Sequence, residues 1–205
     1  MTAIKICGIT RYEELEAVNC YTPEYVGLVF APSKRQVSFF QAEKLVRHLP
    51  RSIQKVGVFV NMDLRELKTV ARNVSLDVLQ LHGEESPDSC RDLRKDGYVV
   101  WKSFTVRSPE DLDLLGQYEV DGYLLDAAGP MRGGNGITFP WKWARNMKIK
   151  GDFILAGGIN PDNVRKAMET LHPDVVDVSS GVEVNGVKSG EKIGALIEAV
   201  RSNLG

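Results

Sequence analysis

Ala3-Ile4-Lys5-Ile6-Cys7 runs straight into Gly8-Ile9-Thr10: a short apolar strand ends on a thiol and turns at once into the entry of a helix. The same grammar recurs along the chain. Tyr25-Val26-Gly27-Leu28-Val29-Phe30 leads to Pro32, Ser33 and Arg35, and Lys55-Val56-Gly57-Val58-Phe59-Val60 leads to Asn61. Asp77-Val78-Leu79-Gln80-Leu81 opens into His82-Gly83, and Val120-Asp121-Gly122-Tyr123-Leu124-Leu125 into Asp126. Phe153-Ile154-Leu155-Ala156 gives way to Gly157-Gly158, and Val175-Val176-Asp177-Val178 to Ser179-Ser180-Gly181. Each run is short, rich in β-branched residues and nearly continuous in apolar character, the pattern of strands buried on both faces. Polar chemistry therefore collects at one end of the strands, where parallel sheets keep their reacting groups.

Tyr98-Val99-Val100-Trp101-Lys102-Ser103-Phe104 brings the count to eight. Between the runs lie segments with apolar residues three and four apart, as in 13–18, 42–49 and 63–71, which is helical spacing. Eight strands alternating with helices predict an α/β fold, a single-domain (β/α)8 TIM barrel with parallel strands that spans residues 1–205. A seven-strand open sheet is the competing count.

A hydrophobic fraction of 43%, a charged fraction of 26% and a net charge of -1 describe an ordinary globular chain with no basic field for a nucleic acid to follow. No apolar stretch approaches the ~20 residues of a membrane span, and the first residues lack a charged leader with an apolar core. The expected compartment is the cytoplasm. Cys7, Cys20 and Cys90 are odd in number and unpaired in spacing, which points to neither a disulfide framework nor a metal site. Cys20 and Cys90 fall in helical segments and are expected as small buried hydrophobes; only Cys7 has a functional address.

Gly157-Gly158 and Ser179-Ser180-Gly181 follow the seventh and eighth strands, the two positions where such barrels often cradle phosphate. Glycine lets backbone N–H groups approach the anion and serine adds a donor without bulk, so Gly157, Gly158, Ser180 and Gly181 are candidate phosphate contacts. Residues 127–138 form the longest stretch without helix or strand signal. Its Gly133-Gly134-Asn135-Gly136 lacks the Lys-Ser or Lys-Thr of a phosphate loop, and reads as a lid. No Gly-x-Gly-x-x-Gly fingerprint supports a dinucleotide, so no cofactor is expected.

Cys7 and Asp126 bring a thiol and a carboxyl to one barrel mouth, a pairing suited to removing a proton from carbon and giving one to oxygen. Lys5 shares the face of Cys7 at period two; its ammonium either favours the thiolate or pairs with a core carboxylate. Gln80 and His82 share one face of the fourth strand as candidate substrate contacts, with a structural histidine as the other reading. Arg35 offers a planar fork for a carboxylate, or else is a solvated loop charge. Asp177, buried in the eighth strand, requires a partner such as a sugar hydroxyl.

Lys5-Ile6-Cys7-Gly8-Ile9, 30–38, Val56-Gly57-Val58-Phe59-Val60-Asn61, 79–84, Leu124-Leu125-Asp126, Gly133-Gly134-Asn135-Gly136, 156–161 and 177–183 together resemble phosphoribosylanthranilate isomerase, in order and from the first strand to the last loop. The resemblance implies an isomerase of tryptophan biosynthesis. Without cofactor or metal, it converts N-(5′-phosphoribosyl)anthranilate into 1-(2-carboxyphenylamino)-1-deoxyribulose 5-phosphate by an Amadori rearrangement. It implies Cys7 as general base, Asp126 as general acid, Arg35 on the anthranilate carboxylate, Asp177 on a ribose hydroxyl and the two Gly/Ser loops on phosphate. The expected ligand is thus a small phosphorylated molecule, with no obligate protein partner. Asn135, Ile137 and Pro140 depart from the family's usual loop, and Lys188-Ser189 stands where the family has Lys-Asp. The rivals are another phosphosugar barrel enzyme, which would need a metal, paired carboxylates or a catalytic lysine, and a non-catalytic phospholigand-binding barrel.

Overall fold

In a computed structural model that describes residues 1–127 and 138–202, the eight apolar runs are eight strands. They are β1 (Ala3–Cys7), β2 (Tyr25–Val29), β3 (Gln54–Phe59), β4 (Val78–Leu81), β5 (Val99–Val106), β6 (Gly122–Ala127), β7 (Asp152–Leu155) and β8 (Val175–Val178). All pair in parallel with their sequence neighbours, and β1 also pairs with β8, so the sheet closes on itself as a (β/α)8 barrel. Closure leaves no open edge.

The strands are apolar on both faces for two reasons. Outward residues such as Ile4, Ile6, Val26, Leu28, Leu79, Leu125, Leu155 and Val176 are buried in the cluster that the helices complete. Inward residues Val56, Val78, Trp101, Leu124, Ile154 and Val175 fill the lumen in a second cluster. Two residues further along β4 to β8, on the same inward face, stand Gln80, Ser103, Asp126, Ala156 and Asp177. The lumen thus turns from apolar to mainly polar within one strand period, toward the carboxyl ends. That step creates the site.

Among the described residues six α-helices cover the outside: α1 (Tyr12–Tyr21), α2 (Phe39–Val46), α3 (Leu64–Val74), α4 (Pro87–Lys95), α5 (Val164–Leu171) and α6 (Gly190–Arg201). Their starts are chemically marked. Ser38 accepts from Gln41 N at 3.2 Å, Asp63 from Arg65 N at 2.9 Å, and Ser86 caps a helix that begins with Pro87. After β5 and β6 the connections are 3-10 helices instead, Pro109–Gln117 and Trp141–Ala144. In the first, Leu112 and Leu115 face the core three residues apart while Leu114 is exposed, which suits the three-residue turn. Among the described residues no helix is long and apolar enough to cross a membrane.

One expectation needs correction. Cys90 is fully buried in α4, but Cys20, near the end of α1, is exposed and is no core hydrophobe. Between the β8 loop and α6 the chain adds elements that the sequence reading did not place. A short 3-10 turn, Ser180–Val182, is followed by an antiparallel hairpin of β9 (Glu183–Val184) and β10 (Val187–Lys188). Asn185 and Gly186, both at positive φ, form its turn, and this dipeptide is a standard hairpin signal.

Candidate active site

The carboxyl ends of the strands open into a cavity of about 540 Å³. Cys7, Arg35, Gln80, His82, Asp126, Gly157, Gly158, Asp177 and Ser180 all line it. Gly181 does not; it packs so closely on the β7 loop that a Cβ there would lie 2.0 Å from the carbonyl oxygen of Ile159. A second hollow of about 340 Å³, between the chain start and the turn before β8, is lined by Met1, Thr2, Met168, Glu169, His172, Pro173 and Asp174. It gathers none of the strand-end groups.

At the seam of the barrel, Lys5 of β1 and Asp177 of β8 are register partners, and Lys5 Nζ donates to Asp177 Oδ1 at 2.8 Å. Both are buried, at 0% and 8% exposure. Burial would lower the Lys5 pKa, but Asp177 and then Cys7 outweigh it and hold the ammonium above its ordinary 10.5. The same lysine acts on Cys7. Burial pushes the thiol above its ordinary 9.0, with Lys5 as the largest opposing influence and Asp177 reinforcing the rise. The two readings of Lys5 therefore both hold, since it pairs with the core carboxylate and lies against the thiol. Gly27, opposite Cys7 in β2, makes room for both groups: a Cβ there would stand 2.7 Å from Cys7 Sγ and 3.2 Å from Lys5 Nζ.

Across the cavity, Asp126 comes from the penultimate position of β6. His82 Nε2 lies 3.4 Å from Asp126 Oδ2, and Gln80 Nε2 lies 2.9 Å from His82 Nδ1. With the amide nitrogen as donor, Nδ1 is the acceptor, and Nε2 is the ring nitrogen that faces the carboxyl. Gln80 is 1% exposed, and its Oε1 has no hydrogen-bond partner among the described residues. An orphaned buried acceptor on a cavity wall is suited to a ligand hydroxyl or amine.

Arg35 is not a solvated charge. Its Nε donates to Glu183 Oε1 at 2.6 Å and its Nη2 to Glu183 Oε2 at 2.9 Å, a two-pronged clamp onto the start of β9. Lys188 Nζ, from β10, donates to Glu183 Oε1 at 2.7 Å and to the carbonyl and hydroxyl oxygens of Ser179 at 3.1 and 3.3 Å. Ser179 Oγ in turn donates to the carbonyl of Cys7 at 3.0 Å. Burial alone would raise the Glu183 pKa, but bonds from Arg35 and Lys188 overcome it and hold the carboxyl at about 2. For Lys188 burial wins over the pull of Glu183, and its pKa lies below 10.5. The sequence reading gave no individual role to Glu183, Lys188 or Gly27, and took Ser179 only as part of the loop after β8. The first two were hidden in an unread hairpin, although Asn185-Gly186 announced it.

Gly157 and Gly158 sit at φ of +79° and +65°, a region that favours glycine, and a Cβ on Gly157 would meet Asp126 Oδ1 at 2.9 Å. The β7 turn therefore lies tight beside Asp126, with Ser180 on the neighbouring β8 loop. Ser189, the departure near the last helix, caps α6 by accepting from Lys192 N at 3.4 Å, the task an aspartate would perform there. Of the proposed lid, residues 127–138, Ala127 closes β6, and residues 128–137 with Gly133-Gly134-Asn135-Gly136 lie outside the described residues.

A profile of the family described as N-(5′-phosphoribosyl)anthranilate (PRA) isomerase matches residues 4–199. An N-(5′-phosphoribosyl)anthranilate isomerase of Clostridium acetobutylicum is 48% identical over 204 residues, covering 98% of each chain. The crystal structure of phosphoribosyl anthranilate isomerase from Thermus thermophilus superposes with a TM-score of 0.89 at 34% identity, covering 99% of this chain and 100% of the other. Another solved isomerase, in complex with reduced 1-(o-carboxyphenylamino)-1-deoxyribulose 5-phosphate, gives a TM-score of 0.85 at 34% identity, covering 98% and 100%.

Proposed function

The chain belongs to the phosphoribosylanthranilate isomerase family, whose reaction in tryptophan biosynthesis it catalyses, and we propose that Cys7 is the base and Asp126 the acid of that rearrangement. Asp126 gives a proton to the ribose ring oxygen. The bond from that oxygen to C1′ breaks, and the nitrogen lone pair closes a C1′=N Schiff base. Cys7, as thiolate, takes the proton from C2′, and the electron pair moves to form the C1′=C2′ enolamine. Tautomerisation places the carbonyl at C2′ and two hydrogens at C1′. No electrons leave the substrate, so acid and base suffice.

The observation that carries this reading is that one cavity is lined by a thiol from β1 and a carboxyl from β6, the thiol beside Lys5 and the carboxyl facing His82. Lys5 opposes the effect of burial on Cys7, and His82 faces Asp126. We assign the other cavity residues by chemistry. Arg35 takes the anthranilate carboxylate, and the free oxygen of Asp177 a ribose hydroxyl. Gln80 and His82 make polar substrate contacts. Backbone donors at Gly157, Gly158 and Ser180 take the phosphate, with Gly181 holding that loop close rather than touching ligand. The ligand is a small molecule, no obligate protein partner is proposed, and the cytoplasm, where charged phosphosugars are retained, is the proposed compartment.

Turnover of freshly made phosphoribosylanthranilate by the purified chain tests the reading. Product should form with wild type, and fall by ~10²- to 10⁴-fold in kcat for Cys7→Ala and for Asp126→Asn, the scale of a positioned base or acid. Near-normal turnover of either variant, with chemistry rate-limiting, removes that residue from the mechanism.

A further inference from the structure

Arg35 has five N–H donors in one plane, and Glu183 occupies two of them along the Nε–Nη2 edge. One edge remains able to form a second fork, the Nη1–Nη2 edge. Arg35 lines the cavity, and its side chain is largely buried, at 11% exposure. Glu183 is therefore not merely a counter-charge. It decides which face of the guanidinium a ligand can meet.

Glu183 is itself held. The side chain of Lys188 is fully buried, and its three ammonium protons have three acceptors: Glu183 Oε1, the Ser179 carbonyl and Ser179 Oγ. A carboxylate ligand that displaced Glu183 from Arg35 would also disturb the partner of a buried ammonium, which is costly. The main chain adds restraint, since Glu183 is paired with Lys188 in the hairpin and its carbonyl accepts from Lys192 Nζ at 3.0 Å. Lys34, at 3.8 Å from Glu183 Oε2, is half exposed and contributes little.

We infer that Glu183, anchored by Lys188, is a positioning residue that fixes Arg35 side-on, so that the aglycone carboxylate is received end-on through the Nη1–Nη2 edge. The hairpin β9–β10 thereby sets specificity for an acidic aglycone. This rests on the assignment of Arg35 to the anthranilate carboxylate. Glu183 touches neither reacting atom in this account, and it acts only through Arg35.

The test is a double cycle of wild type, Glu183→Gln, Arg35→Ala and the double variant. Calorimetry measures binding of two ligands, reduced 1-(o-carboxyphenylamino)-1-deoxyribulose 5-phosphate and its anilino counterpart lacking the carboxylate. Glu183→Gln is expected to weaken the carboxylated ligand by roughly 10- to 100-fold and to change the anilino ligand by less than about threefold, the scale of losing an oriented charged hydrogen bond. KM should rise with a much smaller change in kcat, and in the Arg35→Ala background Glu183→Gln should add no further loss. Circular dichroism reports whether each variant is folded; if Glu183→Gln is not, Glu183→Asp, which withdraws the carboxylate by one methylene, should show the same carboxylate-selective loss. Equal losses for both ligands, or an undiminished loss in the Arg35→Ala background, overturn the inference. If Arg35→Ala abolishes a clear wild-type preference for the carboxylated ligand and Glu183→Gln leaves it intact, the inference fails while the Arg35 assignment stands. If wild type shows no preference, both fall.

Discussion

As the proposed base, Cys7 carries two demands that pull against each other, because a base must lose its proton and burial holds it on. Thiolate is the reactive form of a cysteine, so the three thiols should separate by environment. Exposed Cys20 should be labelled first by a water-soluble disulfide reagent at neutral pH. Cys7, with its pKa raised by burial against the opposing pull of Lys5, should react slowly there and faster as the pH is brought upward. Cys90, pushed up to about 11 by burial, should be slower still. Mass spectrometry of labelled peptides across pH 7 to 10 checks this order; rapid neutral labelling of Cys7 ahead of Cys20 would mean that Lys5 dominates. At this scale the sequence was most readable for placement, since Cys7 and Asp126 stand at the carboxyl ends of β1 and β6 and line the cavity. It was least readable for Lys5, whose partner lies 172 residues away.

At the scale of elements, the site is assembled from strand ends whose spacing leaves no slack. Gly27→Ala should place a methyl against the thiol and Lys5, lowering kcat by about an order of magnitude or more while the product analogue still binds, because a small misplacement of a reacting group costs rate. Steady-state kinetics with calorimetry on the same variant decides it, and unchanged kcat would show that the thiol has room to move. In the β7 turn, Gly158→Val is expected to weaken substrate and inorganic phosphate together, since it strains a φ of +65° and crowds the backbone donors. A selective loss of one ligand would move the phosphate site elsewhere. The hairpin teaches the opposite lesson about reading. Its turn dipeptide was in plain view, but nothing local said that Glu183 and Lys188 would fold back onto Arg35.

For the molecule as a whole, the Lys5–Asp177 pair joins the first strand to the last. Removing one member leaves a buried charge, so Lys5→Met should lose roughly 3 to 5 kcal/mol in urea unfolding, and adding Asp177→Leu should recover most of it. No recovery would mean that the pair is not what closes the seam. Acid acts through a different carboxylate. Glu183 is held at about 2 against an ordinary 4.5, so its contribution to stability is fully present above about pH 5 and disappears as pH falls through 4.5 toward 2. Thermal melts should show this decline in wild type and a smaller one in Glu183→Gln.

By itself the sequence determined the eight strands, their parallel order and the end at which chemistry gathers. Strand burial shows as a short, nearly continuous apolar run and strand-end polarity as the residues that follow it, local patterns that do not need a partner to be read. The 3-10 connections after β5 and β6 were not singled out, because a short three-residue stripe such as Leu112 and Leu115 differs little from a helical one. Only the tertiary structure decided that Lys5 answers to Asp177 as well as to Cys7, that Gly27 makes room for the thiol, and that Arg35 is clamped by Glu183 and Lys188. Those facts depend on pairings between residues up to 172 positions apart, and charge pairing through a closed barrel leaves no periodic trace along the chain.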